Sequence, residues 1–562
     1  MKTHISIIIS IVFFLAGSAA FSMNLEQIGG EYLEELWRFH PVSATYQGVH
    51  TYDTLLADYS KGALKAAKKR FAELDRELSA VDTTVLSNNE IVDYYLIKTS
   101  IADELFSLKI IEEYKKNPLI YSNECIYGIY TILLNPSPSV DDRIYALSRR
   151  LEQIPDYLER AVKNLVHPSQ FFCEIAIGQL ASGTEFIDDI YAVYVDSLPE
   201  YKKSEFKNIA RKANAAMKLF SLQLEMLGDP KTPYVMGRDH YEYMLNNIHL
   251  LNIDADSLLK IGQKTLDSVA VLIDSLQQIH IEPAGIKISL PEDFGRSDVE
   301  SYRSIEIMAV REFVARSGLV TIPDYIGDID IVETPAFILG LIPGIAMQPP
   351  GPFDDFKTSY FYVPPLPDKF SIGQVEYYYN YVHNRQFRGG VVHEAYPGHH
   401  LQISIANKHP SKIRRSFHDY VFIEGWALYC EELMSRTVLY QDDTLGAYIN
   451  ALQGIKFRAA RVIVDVMLQT GQMSYEDAVN YMAEVLGRDR DYVAREVGRY
   501  ITNPGQASSY LLGKVQILAL RDDYRKAKGA DFSLRGFHDD LLSHGSIPVA
   551  LIKRLMISGF QP

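Results

Sequence analysis

Apolar residues recur at three- and four-residue spacing through most of this chain. In 61–81, Leu64, Ala67, Phe71, Leu74 and Leu78 form one stripe with charges on the opposite face, the pattern of an amphipathic helix. The same period runs through 144–165, 201–228, 254–281 and 297–317, and again through 371–386, 413–440, 444–470, 474–486 and 507–528. The pattern predicts a mainly α-helical protein. Residues 333–370 break it, being crowded with Pro, Gly, aromatic and β-branched residues. Their prolines forbid a long helix, while "TSYFYV" (358–363) fits a short strand in a small sheet or at a sheet edge. No repeat or low-complexity tract is evident. A soft subdomain boundary is expected near 283–296, where "PAGIKISLPEDFGR" separates two helical regions.

The first residues follow a different plan. Lys2 supplies a basic start, an apolar run extends from Ile5 to Leu15, and Ser18, Ala19 and Ala20 precede Phe21. This predicts a secretory signal peptide over 1–20, cleaved after Ala20, and a mature protein that is exported, either periplasmic or secreted. The run is shorter than the roughly 20 residues that span a bilayer. No cysteine follows it, so a lipid anchor is not indicated, and no later stretch reads as a membrane span.

The composition, 47% hydrophobic and 23% charged, is that of a globular protein able to build a core, and a net charge of −15 disfavours nucleic acid or an anionic membrane as partner. Three cysteines, Cys125, Cys173 and Cys430, are too few for a disulfide framework. Cys430 is read as a small buried hydrophobe rather than a nucleophile.

The candidate chemistry lies in "RGGVVHEAYPGHHLQ" (388–402). In a zinc-protease helix, H-E-x-x-H sets two histidines about 400° apart, roughly one turn, so both reach one metal. Here His393 and Glu394 satisfy the first half, but the fourth position after His393 is Pro397. Proline removes a backbone donor and crowds the carbonyl four residues back, and Gly398 opens backbone angles closed to other residues. The pair predicts a kink or bulge that carries His399 to the second ligand position. In an unbroken helix His400 would instead return to the face of His393, so it is the rival ligand.

A third ligand is expected from "FIEGWALYCEEL" (422–433), where Glu424 sits inside an apolar helical stretch, an unusual place for a charge without a partner. His393, His399 and Glu424 together would make a His₂Glu set, which catalytic zinc uses with a fourth position left for water. Zn²⁺ lowers that water's pKa to about 7, and Glu394 would act as its general base. A donor to the developing oxyanion is also needed. Segment 497–514 offers Arg499, Tyr500, Gln506 and Tyr510 around a Pro-Gly break, with Tyr510 the first choice.

"HEAYPGHHLQ", "FIEGWALYCEEL", "NPGQASSYLLGK" and "HPVSATYQGVHTYDTLLADYS" (40–60) together resemble the bacterial domain-of-unknown-function family 885, from about residue 25 to the C-terminus. That family is similar to the mainly helical gluzincin zinc peptidases, which include thimet oligopeptidase, neurolysin, angiotensin-converting enzyme and thermostable carboxypeptidases. The resemblance implies one helical peptidase-like domain over 21–562 enclosing a deep channel, and short peptides as substrates. It also implies a glycine before the second histidine, matched by Gly398 and His399, and a tyrosine near the scissile carbonyl, the role expected of Tyr510.

The leading expectation is an exported zinc metallopeptidase of short peptides. A metal-dependent hydrolase of another amide or an ester keeps the same site, and a helical binding protein without catalysis is the third reading. Glu394 favours the first two, since a pure binding site needs no base beside its metal. The sequence does not indicate an oligomeric state.

Overall fold

A computed structural model of the chain describes residues 24–134, 139–194, 199–280, 293–334, 339 and 344–557. The signal segment and most of the soft boundary near 283–296 lie outside the described residues. The fold is mainly α-helical, and the periodic stretches are its helices. The 61–81 pattern becomes Lys61–Ser79, opened by the Ser60 side chain accepting from the Ala63 N–H, with the five stripe residues buried. Val140–Asn164, Glu200–Leu227, Ala255–Gln277 and Arg296–Ser317 follow their patterns closely. Ile372–His383, Thr444–Gln469, Tyr475–Leu486 and Gln506–Lys528 do the same in the C-terminal half.

Two differences are informative. The expected helix over 413–440 is divided into Lys412–Ser416, Tyr420–Ser435 and a 3₁₀ turn at Val438–Tyr440. Asp419 causes the restart: its backbone is extended, its carboxylate accepts from the Phe422 N–H, and its own N–H bonds the Ser546 carbonyl. Helix Leu119–Leu134 has no amphipathic stripe in the sequence because it is buried around most of its circumference.

The irregular segment supplies β2 at Ala346–Gln348 and β3 at Ser359–Val363 to a small sheet in the order β1-β3-β2, whose β1, at Ile329–Glu333, leads into it. The strand read from "TSYFYV" is therefore the central one. It runs parallel to β1, with Ile329 opposite Ser359, and antiparallel to β2, with Met347 opposite Phe361. Its side chains alternate between two cores. Tyr362 joins the core of helices Leu119–Leu134, Val140–Asn164, Gln170–Tyr194 and Glu200–Leu227, while Phe361 and Val363 join the core built on Tyr420–Ser435. The sheet thus ties the N-terminal helical layer to the half that carries the motif. Among the described residues no helix is long and apolar enough to cross a membrane.

Candidate metal centre

The interrupted motif forms two helices, Arg388–Glu394 and His399–Ala406, rather than one helix with a bulge. The chain turns between them through a cis Tyr396–Pro397 bond. Gly398 is required by close approach: a Cβ there would lie 1.8 Å from the His393 carbonyl oxygen. Trp426 Nε1 donates to the Pro397 carbonyl at 2.8 Å, fastening the turn to helix Tyr420–Ser435. That helix in turn meets Gln506–Lys528 backbone to backbone. A Cβ on Gly513 would come within 1.7 Å of the Val421 carbonyl oxygen, so only glycine lets the helices carrying Glu424 and Tyr510 touch.

This packing brings His393, His399 and Glu424 together, with one donor atom from each lying within 4.8 Å of the others. Glu424 Oε2 is 3.6 Å from His393 Nε2 and 3.4 Å from His399 Nε2. These separations are long for hydrogen bonds, and Oε2 is a buried oxygen without a hydrogen-bond partner among the described residues. Donors about 2.0–2.1 Å from one tetrahedral ion lie roughly 3.3–3.4 Å from each other. Both Glu424–histidine separations are close to that spacing.

The electrostatics agree. Burial works against a charged imidazole at His393, but Glu424 and Glu431 outweigh it and hold the ring at about 10. Burial likewise opposes charge on Glu424, yet the two imidazoles hold its carboxyl well below the usual range. Positive charge is favoured at the centre. Glu394 lies beside it with its pKa raised, chiefly by burial, and its Oε2 accepts the Met347 N–H of β2 at 2.9 Å.

His400 faces elsewhere. Its Nδ1 is 2.8 Å from Ser359 Oγ and its Nε2 3.2 Å from the Gly327 carbonyl, and burial lowers its pKa to about 4. It is a neutral histidine that locks the second half of the motif onto the sheet region. His399 is the one that joins His393.

Tyr510 stacks on His393 at a centroid distance of 6.4 Å and an interplanar angle of 20°. Its hydroxyl accepts from Gln506 Nε2 at 3.2 Å. Of the other residues considered for the donor role, Arg499 is half exposed and paired with Glu496, and Tyr500 donates to Glu496, so neither joins the centre. Cys430 is buried, its thiol pushed up by burial, as expected of a core residue.

The sequence profile of a bacterial family of unknown function, DUF885, matches residues 41–556. The chain belongs to DUF885. Solved structures with the same fold include a candidate lipoprotein of unknown function from Shewanella oneidensis, with TM-score 0.75 and 23% identity, covering 95% of this chain and 100% of that one. Another is a candidate lipoprotein from Colwellia psychrerythraea, with TM-score 0.76 and 19% identity, covering 95% and 98% respectively. No curated protein matches the chain.

The structure of this DUF885 member adds residues that the sequence reading did not single out. Glu431 Oε1 is 2.7 Å from His393 Nδ1 and is also paired with Arg458 Nη2 at 3.3 Å. Glu431 follows Glu424 by seven residues, two helical turns, so the shared face was a usable signal. Met347 and Arg461 carried no comparable signal, since nothing local relates them to the motif.

Proposed function

We propose that this DUF885 protein is an exported zinc-dependent hydrolase of short peptides. The observation that carries the reading is the convergence of His393, His399 and Glu424, with both Glu424–histidine separations near a tetrahedral edge length and Glu394 buried alongside. Zinc held by these three would supply Lewis acidity at a scissile carbonyl and make water nucleophilic near neutral pH.

The remaining work falls to the chain. Glu394, anchored through Oε2 by the Met347 N–H, has Oε1 available to take a proton from the attacking water and pass it to the leaving amine. Its raised pKa, caused by burial, brings it nearer to that task than an ordinary carboxylate. Tyr510 accepts from Gln506, which leaves its own hydroxyl proton for the developing oxyanion. Among the described residues strand β2 lies at the sheet edge beside Glu394, and an edge strand is suited to an extended peptide, which favours a peptide over an isolated ester.

Export is supported by the signal-like pattern of residues 1–20 and by the description of both structural neighbours as candidate lipoproteins. The test combines metal analysis with a peptide-library digest read by mass spectrometry. About one zinc per chain and cleavage of short peptides are expected. Glu394→Gln should keep the metal and abolish cleavage, and cleavage surviving that change would refute the assignment.

A further inference from the structure

Arg461, on helix Thr444–Gln469, is 4% exposed and has no carboxylate at ion-pair distance among the described residues. Its guanidinium makes one hydrogen bond, from Nη2 to Gln506 Oε1 at 3.1 Å, and Nε is buried without a partner. Of the other buried arginines, Arg303 makes one long hydrogen bond, from Nη2 to the Pro364 carbonyl at 3.5 Å, and three are better provided for. Arg388 is paired with Glu306, Arg414 with Asp93, and Arg150 donates to Gly128 O, Thr131 Oγ1, Thr45 Oγ1 and Tyr52 O. A buried charge without such partners is costly.

The rings around Arg461 offset only part of that cost. Its guanidinium carbon lies 4.4 Å from the Tyr510 ring centroid and 5.2 Å from that of Tyr500. Aromatic faces attract a cation, but they do not accept its in-plane N–H groups. Those groups suit a carboxylate, which a guanidinium can bind with two parallel hydrogen bonds. Arg458, one turn earlier and 5.5 Å from the same Tyr510 ring, is already committed to Glu431.

The position is also suitable. Tyr510 neighbours both Arg461 and His393, its ring centroid lying 4.4 Å from the guanidinium carbon and 6.4 Å from the His393 ring centroid. The two separations together span no more than about three extended residues, at roughly 3.3–3.6 Å each. Because Arg461 can only donate, it holds the Gln506 oxygen toward itself and the Gln506 amide toward Tyr510, so the anchor and the oxyanion donor belong to one chain of bonds.

We propose that Arg461 receives the C-terminal carboxylate of a peptide, so that the substrates are peptides with a free C-terminus cut within about three residues of it. This deepens the hydrolase reading and rests on it. Water adds across the C–N bond, the new carboxylate stays with the N-terminal fragment, and the new amine leaves with the anchored residues.

The test uses zinc-loaded Glu394→Gln protein and a tripeptide library made both as free acids and as C-terminal amides, with retention measured by equilibrium dialysis. The acids should be retained at least about 10-fold better than the amides, the effect of a charge-assisted hydrogen bond. Arg461→Gln in the same background should bring the ratio near parity, and Arg461→Lys should keep part of it. A general loss of packing would weaken both libraries and leave the ratio unchanged. Parity in the parent protein, failure to retain either library, or a preference that survives Arg461→Gln would overturn the proposal. Turnover by the unmutated enzyme separates the two readings: amides cut as fast as acids refute the anchor alone, whereas retention of acids without cleavage supports the anchor and refutes the hydrolase.

Discussion

His393 Nδ1 lies 2.7 Å from Glu431 Oε1, and this contact orients the imidazole so that Nε2 faces Glu424 and His399. A carboxylate can only accept, so when a cation displaces the Nε2 proton the remaining ring proton stays on Nδ1 and the Nε2 lone pair faces the site. His399 has no equivalent support, since its Nδ1 is buried without a partner among the described residues.

Removing that support should weaken the site without removing a ligand. Glu431→Gln is expected to lower zinc affinity by about 10–100-fold while the far-ultraviolet circular dichroism stays unchanged. Competition with a chelator of known affinity measures it, and unchanged affinity would show that Glu431 does not tune the site.

The two adjacent histidines should behave differently. His399→Ala is expected to lose zinc at stoichiometric loading. His400→Ala should retain zinc but lower the unfolding free energy by about 1–3 kcal/mol, because it leaves the buried Ser359 hydroxyl without its imidazole partner and opens a cavity. Elemental analysis and equilibrium unfolding of both variants separate the roles, and zinc lost only from His400→Ala would reverse them.

Tyr510→Phe keeps the ring stacked on His393 and deletes the hydroxyl donor. Its kcat on a cleaved peptide should fall by about 10²–10³-fold, with zinc content unchanged and KM little affected. A rise in KM at constant kcat would place Tyr510 in ground-state binding instead.

Acid should destabilise the fold through buried neutral histidines away from the centre. His538 sits between the Tyr429 hydroxyl and the Leu319 carbonyl, and burial lowers its pKa to about 4. The unfolded chain takes up this proton near pH 6.5, whereas the folded chain resists it until about 4, so stability present above 6.5 is lost as pH falls through that window. The loss from His538 between pH 7 and 5 is about 2 kcal/mol. His409, also lowered to about 4 chiefly by burial, adds to it in the same direction. Urea unfolding at both pH values checks the slope, and His538→Gln should flatten it.

The helices were legible because a repeat of 3.6 residues is a local property, as the stripe from Leu64 to Leu78 shows. Legibility failed at Leu119–Leu134, where burial on most sides erases the stripe, and at Asp419, whose capping bond outweighs the continuing period. At the site, His393, Glu394 and Glu424 stood out as charges and ligands set in apolar surroundings. Arg461 did not, since an arginine on an amphipathic helix reads as a solvated face until the packing shows that it is buried.

The sequence by itself determined the helical class and supplied the candidate ligands, because side-chain period and residue chemistry are written within a few turns of chain. It also determined that the helix carrying His393 could not run on regularly through Pro397, whereas its separation into two helices came from the structure. Which histidine then joins His393 was decided only by the tertiary structure. His399 and His400 are neighbours of identical chemistry, and the choice came from contacts remote in sequence: Trp426 holding the turn, Ser359 and Gly327 capturing His400, and Gly513 letting the glutamate helix come close.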